Sequence, residues 1–354
     1  GGYPSGLTDP SRFSPTLANI TYMPPDNKTS SVKSWFFSVQ REVMKNVVVD
    51  LAYVGNKAEN LLLFANFNQA RPNNPGENLS LQARRPISEY GDITYAFNGG
   101  FSRYKSFQAR VEARRGSLMF LNSLTLSKAE DNGAGTLESP NGNFPSPQDF
   151  NNLAAEEGIS AYDQPWNNTT SLVWELPFGN GRRYLGSATG FTQGVLGGWR
   201  LSLINNMWAG ERLTFQYSPA AALQVSGITQ DFRGANNYRP NITCDPLLPA
   251  DQRTTTAYFN RDCVVIPTDP SQPFGNAERN SVRADSIYQM DLGLAKTFGL
   301  PWRDAALELR LEAFNVLNKT NFRAPAANRS AANFGTITST YDPRQLQVGL
   351  KLLF

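Results

Sequence analysis

Histidine is absent from this 354-residue chain. That removes the commonest general base, the commonest metal ligand and every Ser-His or Cys-His nucleophile arrangement. The expectation is therefore a protein that is not an enzyme, with no catalytic residue, no cofactor and no metal site. Cysteine occurs only as Cys244 and Cys263, inside one polar, Pro-rich stretch, at a spacing that matches no zinc pattern. In an oxidising space a local disulfide is expected, and two unpaired thiols are the alternative. Long apolar runs are missing too. No stretch of about 18 apolar residues exists, which excludes a transmembrane helix but not membrane strands, which need only about 9 to 11 residues with every second side chain free to be polar. Charged residues make up only 18% and the net charge is +3, with Lys and Arg scattered along the chain, so no nucleic-acid partner is indicated. The opening Gly1-Gly2-Tyr3-Pro4 has neither a basic nor an apolar leader region, and an exported protein would carry this chain as an internal or processed fragment.

Aromatics, glycine and proline are plentiful: 22 Phe, 13 Tyr, 6 Trp, 28 Gly and 23 Pro favour strands and turns over helices. The clearest strand is the last. Leu346, Val348, Leu350, Leu352 and Phe354 alternate with Gln345, Gln347, Gly349 and Lys351, which gives one apolar and one wet face. Leu307, Leu309, Leu311 and Ala313 oppose Glu308, Arg310 and Glu312; Phe107, Ala109, Val111 and Ala113 oppose Gln108, Arg110, Glu112 and Arg114. Ionised groups in such rows need water, which a barrel lumen supplies and a dry sandwich core does not. Further strands run through Trp35–Val39, Val47–Tyr53, Leu118–Leu126, Leu172–Leu176, Trp199–Leu203 and Tyr288–Leu294, for about nine in all.

Joins between strands fall into two alternating classes. Met44 to Asn46, Arg115 to Ser117 and Gly299 to Asp304 are short, and Phe178 to Gly198 takes the same place at medium length. Lys57 to Ser102, Lys128 to Asn167, Ser218 to Ser286 and Lys319 to Arg344 are long. Outer-membrane barrels alternate short periplasmic turns with long external loops in this way. Tyr53, Tyr104, Trp166, Trp174, Trp199, Trp208, Tyr288, Phe298 and Trp302 lie near strand ends, where interfacial girdles belong.

The string Trp35-Phe-Phe-Ser-Val-Gln-Arg-Glu-Val43 with Val49-Asp-Leu-Ala-Tyr-Val-Gly-Asn-Lys57 resembles the barrel of TonB-dependent receptors of the Oar-like kind common in acidobacteria. Leu176–Arg183, Leu196–Ser202, Phe274–Asn280, Arg310–Asn318 with Asn321-Phe322, and Pro343–Lys351 agree with it in order and spacing. The resemblance implies a 22-stranded barrel, a plug, often a carboxypeptidase-regulatory-like domain upstream, and energy coupling through the TonB complex by an N-terminal region that this sequence does not hold. The expected fold is thus all-β: an antiparallel transmembrane β-barrel, here about nine strands of it, with long extracellular loops. Residues 1–32 are read as an extracellular loop or irregular segment and 33–354 as the C-terminal part of the barrel. The expected location is the bacterial outer membrane, and the expected partners are outer-membrane lipid, the barrel-assembly machinery and a solute of unknown kind.

Arg110, Glu112, Arg114, Glu308, Arg310 and Glu312 are the candidate lumen-facing residues, able to hold a plug or line a solute path, although charge pairing alone would also explain them. Leu350, Leu352 and Phe354 resemble the carboxyl-terminal signal for barrel assembly. Glu156, Glu157 and Asp163 read as solvated loop charges, and Gly179-Asn180-Gly181 with Arg182-Arg183 as a rim turn in preference to a phosphate nest. The function expected is uptake of a scarce solute by a TonB-dependent transporter; the alternative is a structural or adhesive surface protein whose barrel anchors its external loops.

Overall fold

The structure, a computed structural model, describes residues 19–133, 147–225, 238–301 and 305–354. Nine long strands build one antiparallel sheet: β1 (Ser31–Met44), β2 (Val47–Asn66), β3 (Ile93–Arg115), β4 (Leu118–Asp131), β5 (Trp166–Glu175), β6 (Trp199–Trp208), β7 (Ile287–Gly299), β8 (Ala306–Phe314) and β9 (Gln345–Leu353). Sheet order follows chain order, so the sheet is an up-and-down meander with β1 and β9 as its two open edges. Two of the joins are as tight as a hairpin allows. Asn46 at φ 63° and Gly116 at φ 59° take the left-handed conformation that a two-residue hairpin demands, and Asn and Gly are the residues that reach it most cheaply.

Register carries one face across all nine strands. Asp50 lies opposite Arg110, then Ser123, Thr169, Asn206 and Gln289; beyond them Gly293 lies opposite Glu312 and Gln347. The other face reads Leu51, Ala109, Leu124, Asn168, Met207 and Tyr288, and then Leu294, Leu311 and Val348. This second face is bare: Phe37, Val348 and Leu350 are each 69% exposed, on a surface far larger than a water-soluble sheet leaves uncovered. Its apolar rows are interrupted where Asn122 Nδ2 donates to Thr170 Oγ1 (2.8 Å) and Asn168 Oδ1 (3.2 Å), and Asn168 Nδ2 donates back to Asn122 Oδ1 (3.3 Å), and also by Arg41, opposite Val49, and Lys296, opposite Trp199 and Leu309.

The buried apolar core lies in the loops. Four long loops leave the same end of the sheet, and their described residues, 67–92, 132–133, 147–165, 209–225, 238–286 and 315–344, pack into one cap. Phe215, Tyr258, Phe259, Val264, Ala277, Val282 and Phe334 form its main cluster, and Tyr217, Leu223, Val225 and Tyr238 a second. Burying each large side chain contributes about 1.5–3 kcal/mol, enough to fix loops that have little regular structure. Backbone bonds tie loop to loop: Ala70 N donates to Val225 O (2.7 Å), Gln216 N to Ala327 O (3.2 Å) and Tyr258 N to Gly335 O (3.0 Å).

Several details depart from the sequence expectation. The join read from Lys57 to Ser102 is shorter, because β2 runs on to Asn66 and β3 starts at Ile93. Polar residues such as Asn56, Lys57, Glu59 and Asn60 and two register shifts around Leu61 erase the apolar alternation there, although the ladder continues. Tyr104 and Trp208 lie on the polar face, opposite Asn56 and Asn167, so they belong to no outward girdle. Trp302, residues 1–18 and part of the Gly299 to Asp304 turn lie outside the described residues. Within the segment 1–32, Ile20–Tyr22 pairs in parallel with Ile93–Tyr95.

Candidate functional site

The polar face and the cap above it form the candidate site. On β3, side chains two residues apart share a face, which aligns Arg110, Glu112 and Arg114. Glu112 accepts from Arg110 Nη2 at 3.0 Å and from Arg114 Nε at 3.2 Å. A cleft of about 250 Å³ opens beside them, lined also by Met119, Leu121 and Ser171. On β8, Arg310 Nε donates to Glu308 Oε1 at 2.5 Å. Arg200 of β6 reaches across β7 to Glu308 Oε2 at 3.1 Å, and the small Ala295, opposite both Arg200 and Arg310, leaves room for it. Register therefore places all six expected residues on one face. It does not bring the two triads together, since five interstrand steps of about 4.8 Å separate β3 from β8.

Asp50 was missed by the sequence reading. It stands directly opposite Arg110, yet Arg110 turns to Glu112, and Asp50 Oδ1 is left buried without a hydrogen bond. Its alternation with apolar neighbours marks its face but not its missing partner.

Ion pairs hold the cap. Arg239 Nη1 lies 2.7 Å from Glu156 Oε2, Arg279 Nε lies 3.5 Å from the same oxygen, and Arg279 also pairs with Asp131 at the outer end of β4. Asp163 takes Arg283 at 2.7 Å and Arg212 at 2.9 Å. Arg85 and Asp92 close the first loop at 2.8 Å. The reading of Glu156 and Asp163 as solvated charges is thus corrected: both are buried against arginines far away in sequence, while Glu157 is exposed. Burial, with Arg212 nearby, pulls the Arg283 guanidinium down to about 10 against the attraction of Asp163. At the cap surface, Arg71, the Asn74 backbone N–H and the Asn74 side chain hold the Glu77 carboxyl down at about 2. Burial, with Asp285 beside it, pushes the Tyr258 phenol up.

The Gly179–Gly181 turn offers no free anion nest. Gly179 N donates to Tyr184 O, Gly181 N to Gly186 O and Asn180 N to Gln193 Oε1, so its amides are spent internally. Cys244 and Cys263 form a disulfide in the cap, 5.0 Å between Cα atoms. Next to it, Ile242, Asp245, Leu247, Glu278 and Val282 line a cleft of about 320 Å³. Leu350 and Leu352 lie on the apolar face of β9, and Phe354 follows it at the turn end, fully exposed. Among the described residues no group of His, Cys, Asp and Glu is arranged to hold a metal ion.

A family model described as outer membrane beta barrel domain matches residues 2–347. No curated protein sequence matches. Among solved structures, the chain is similar to the outer membrane transporter YddB from Escherichia coli, at 14% identity over 93% of this chain and 33% of that one, TM-score 0.47. It is similar also to the FrpB iron transporter from Neisseria meningitidis, at 12% identity over 94% of this chain and 33% of that one, TM-score 0.42. A third is FpvA of P. aeruginosa, solved with pyoverdine and iron, at 10% identity over 91% of this chain and 27% of that one, TM-score 0.43. The chain spans about a third or less of the length of each.

Proposed function

Because the chain belongs to the outer membrane beta barrel domain family and so lies in the bacterial outer membrane, we propose that it is the C-terminal part of the barrel of a TonB-dependent transporter that takes up a scarce solute. The observation that carries the reading is a polar face continuous over nine strands beneath a cap assembled from all four long loops. Facing a lumen, that surface stays wet and its charges stay ionised; facing lipid, each arginine or carboxylate would cost several kcal/mol. The short turns then point to the periplasm and the cap to the outside.

In this reading Arg110, Glu112, Arg114, Glu308, Arg310 and Glu312 line the interior. The strings that resemble Oar-like receptors support the transporter subtype and, through it, a 22-stranded whole and assembly by the barrel machinery. No covalent chemistry is assigned to the chain. Titration of the full-length protein with the periplasmic domain of TonB tests the reading, together with growth of a strain lacking TonB. Binding, with loss of a growth phenotype that depends on this gene, is the expected result. No binding and no TonB-linked phenotype would leave a barrel that only displays its loops, as a structural or adhesive surface protein does.

A further inference from the structure

The outward face carries a cluster of cations that neither the lumen nor the cap explains. Register places Lys33, Lys57 and Arg103 in one row across β1, β2 and β3, and Lys105 and Lys128 in the row below, across β3 and β4. These rows share the face of Phe37, Tyr53, Phe107 and Leu126, which lie one step nearer the periplasm. Lys33, Arg103, Lys105 and Lys128 are exposed and Lys57 is half-buried beside them. Two carboxylates stand among them: Glu59, 2.6 Å from Lys57 and 3.7 Å from Lys33, and Glu130, 2.6 Å from Lys128. Five positive charges against two leave a net positive patch on four adjacent strands.

Its height follows from strand geometry. From Val47, just after the periplasmic turn, to Lys57 is ten residues, about 33 Å along the strand at about 3.3 Å each. At a tilt of about 40° that is about 25 Å along the membrane normal, the full apolar band of an outer-membrane barrel. The upper row therefore sits where the acyl chains of the outer leaflet end and their headgroups begin. The long Lys105 and Lys128 side chains of the lower row can reach the same level by extending upward. The Trp35 indole lies across Gly55, where any side chain would strike the ring; Gly55 is opposite Lys105, so the indole sits in the lower row, at the depth aromatic rings prefer.

We infer that Lys33, Lys57, Arg103, Lys105 and Lys128 form a binding site for the phosphate groups of outer-leaflet lipid, with the apolar rows below packing the acyl chains. Guanidinium and ammonium groups arranged on a rigid sheet match a phosphorylated headgroup, and the two carboxylates keep the cations apart and oriented. The site depends on the membrane location alone and stands whether or not the barrel transports anything.

The test uses the full-length protein in nanodiscs of zwitterionic lipid doped with a bisphosphorylated glucosamine-based lipid, read by native mass spectrometry. The wild-type protein should retain that lipid, and the dephosphorylated analogue should be retained far less. The variant K57Q/R103Q/K105Q should bind on the order of a hundredfold more weakly, since each surface cation is worth about fivefold. The charge-preserving K57R/R103K/K105R should bind within a few-fold of wild type, which separates loss of charge from failure to fold. Equal retention of the phosphorylated and dephosphorylated lipids would overturn the inference without any variant. So would displacement by millimolar inorganic phosphate, which would make the patch a site for the free anion.

Discussion

Arg239 reaches Glu156 across 83 residues of chain, 2.7 Å from nitrogen to oxygen, with both side chains only 4% exposed. The pair joins the second long loop to the third, and Arg279 adds Asp131 at the top of β4 to the same group. Glu156→Gln removes the charge that two buried guanidiniums share. Breaking a buried pair in this way costs about 3–5 kcal/mol, most of it from the cation left behind. The expected result is loosened protection of backbone amides at 238–242 and 275–280 by hydrogen exchange, with the strand amides of β3 to β8 unchanged. Replacing both partners, as in E156M/R239M, should cost much less. An exchange pattern in E156Q identical to wild type would show that the network does not hold the cap.

The Glu77 carboxyl should make one cap turn sensitive to acid. It is held at about 2 by Arg71 and by the Asn74 backbone and side chain, against 4.5 unperturbed. A carboxyl whose folded value is depressed stabilises fully above its unfolded value and loses that contribution as pH falls toward the folded one. The turn at 71–77 should therefore be tight above about 4.5 and open progressively toward about 2. Pepsin cleavage of the intact barrel across this range reports it. Glu77→Gln should be cut there already at the upper end of the range, and equal resistance of the variant throughout would contradict the assignment.

The nine strands and their two faces were legible because a strand writes its burial locally: lipid on one side and water on the other force alternation at every second residue. Leu346 to Phe354 needed no distant partner to be read. Above the membrane that constraint ends; Asn56 to Asn66 is still strand, but Asn56, Lys57, Glu59 and Asn60 break the alternation and its register shifts twice. The cap was illegible for a different reason. Arg279 and Asp131 are 148 residues apart and Arg283 and Asp163 are 120 apart, and nothing near either end names the other. The disulfide was readable because only two cysteines exist to pair.

The Cys244–Cys263 bond closes a loop of 19 residues beside the larger cap cleft. Closing a loop of that size removes about 3 kcal/mol of chain entropy from the open state. In the full-length protein, C244S/C263S should accordingly raise protease sensitivity between 241 and 265 while leaving the whole barrel resistant to unfolding by detergent at room temperature, read by gel shift. Loss of that barrel resistance would mean that the cap and the sheet fold as one cooperative unit.

The paired amides on the lipid side make a prediction whose sign depends on how many are removed. Asn122 and Asn168 donate to one another, at 3.2 and 3.3 Å, and Asn122 also donates to Thr170 at 2.8 Å. Their register places Thr170 midway between Trp174 and Trp166 on β5, so the cluster sits near the centre of the apolar band, where water cannot replace a lost partner. Asn122→Leu adds apolar surface that lipid favours, but it strips Asn168 of both bonds to Asn122, leaving only the long one it accepts from Thr170 Oγ1 at 3.5 Å, and strips Thr170 of one. Bonds of this kind within membranes are worth about 0.6 to 1.7 kcal/mol each, and an orphaned amide costs about as much again, so the single change should destabilise the barrel. N122L/N168L/T170V removes every orphan together with the cluster, and it should be at least as stable as wild type in urea-induced unfolding from lipid vesicles. A single variant that is more stable than wild type would place the cluster in contact with water or protein rather than acyl chains, and would redraw which part of this face meets the bilayer.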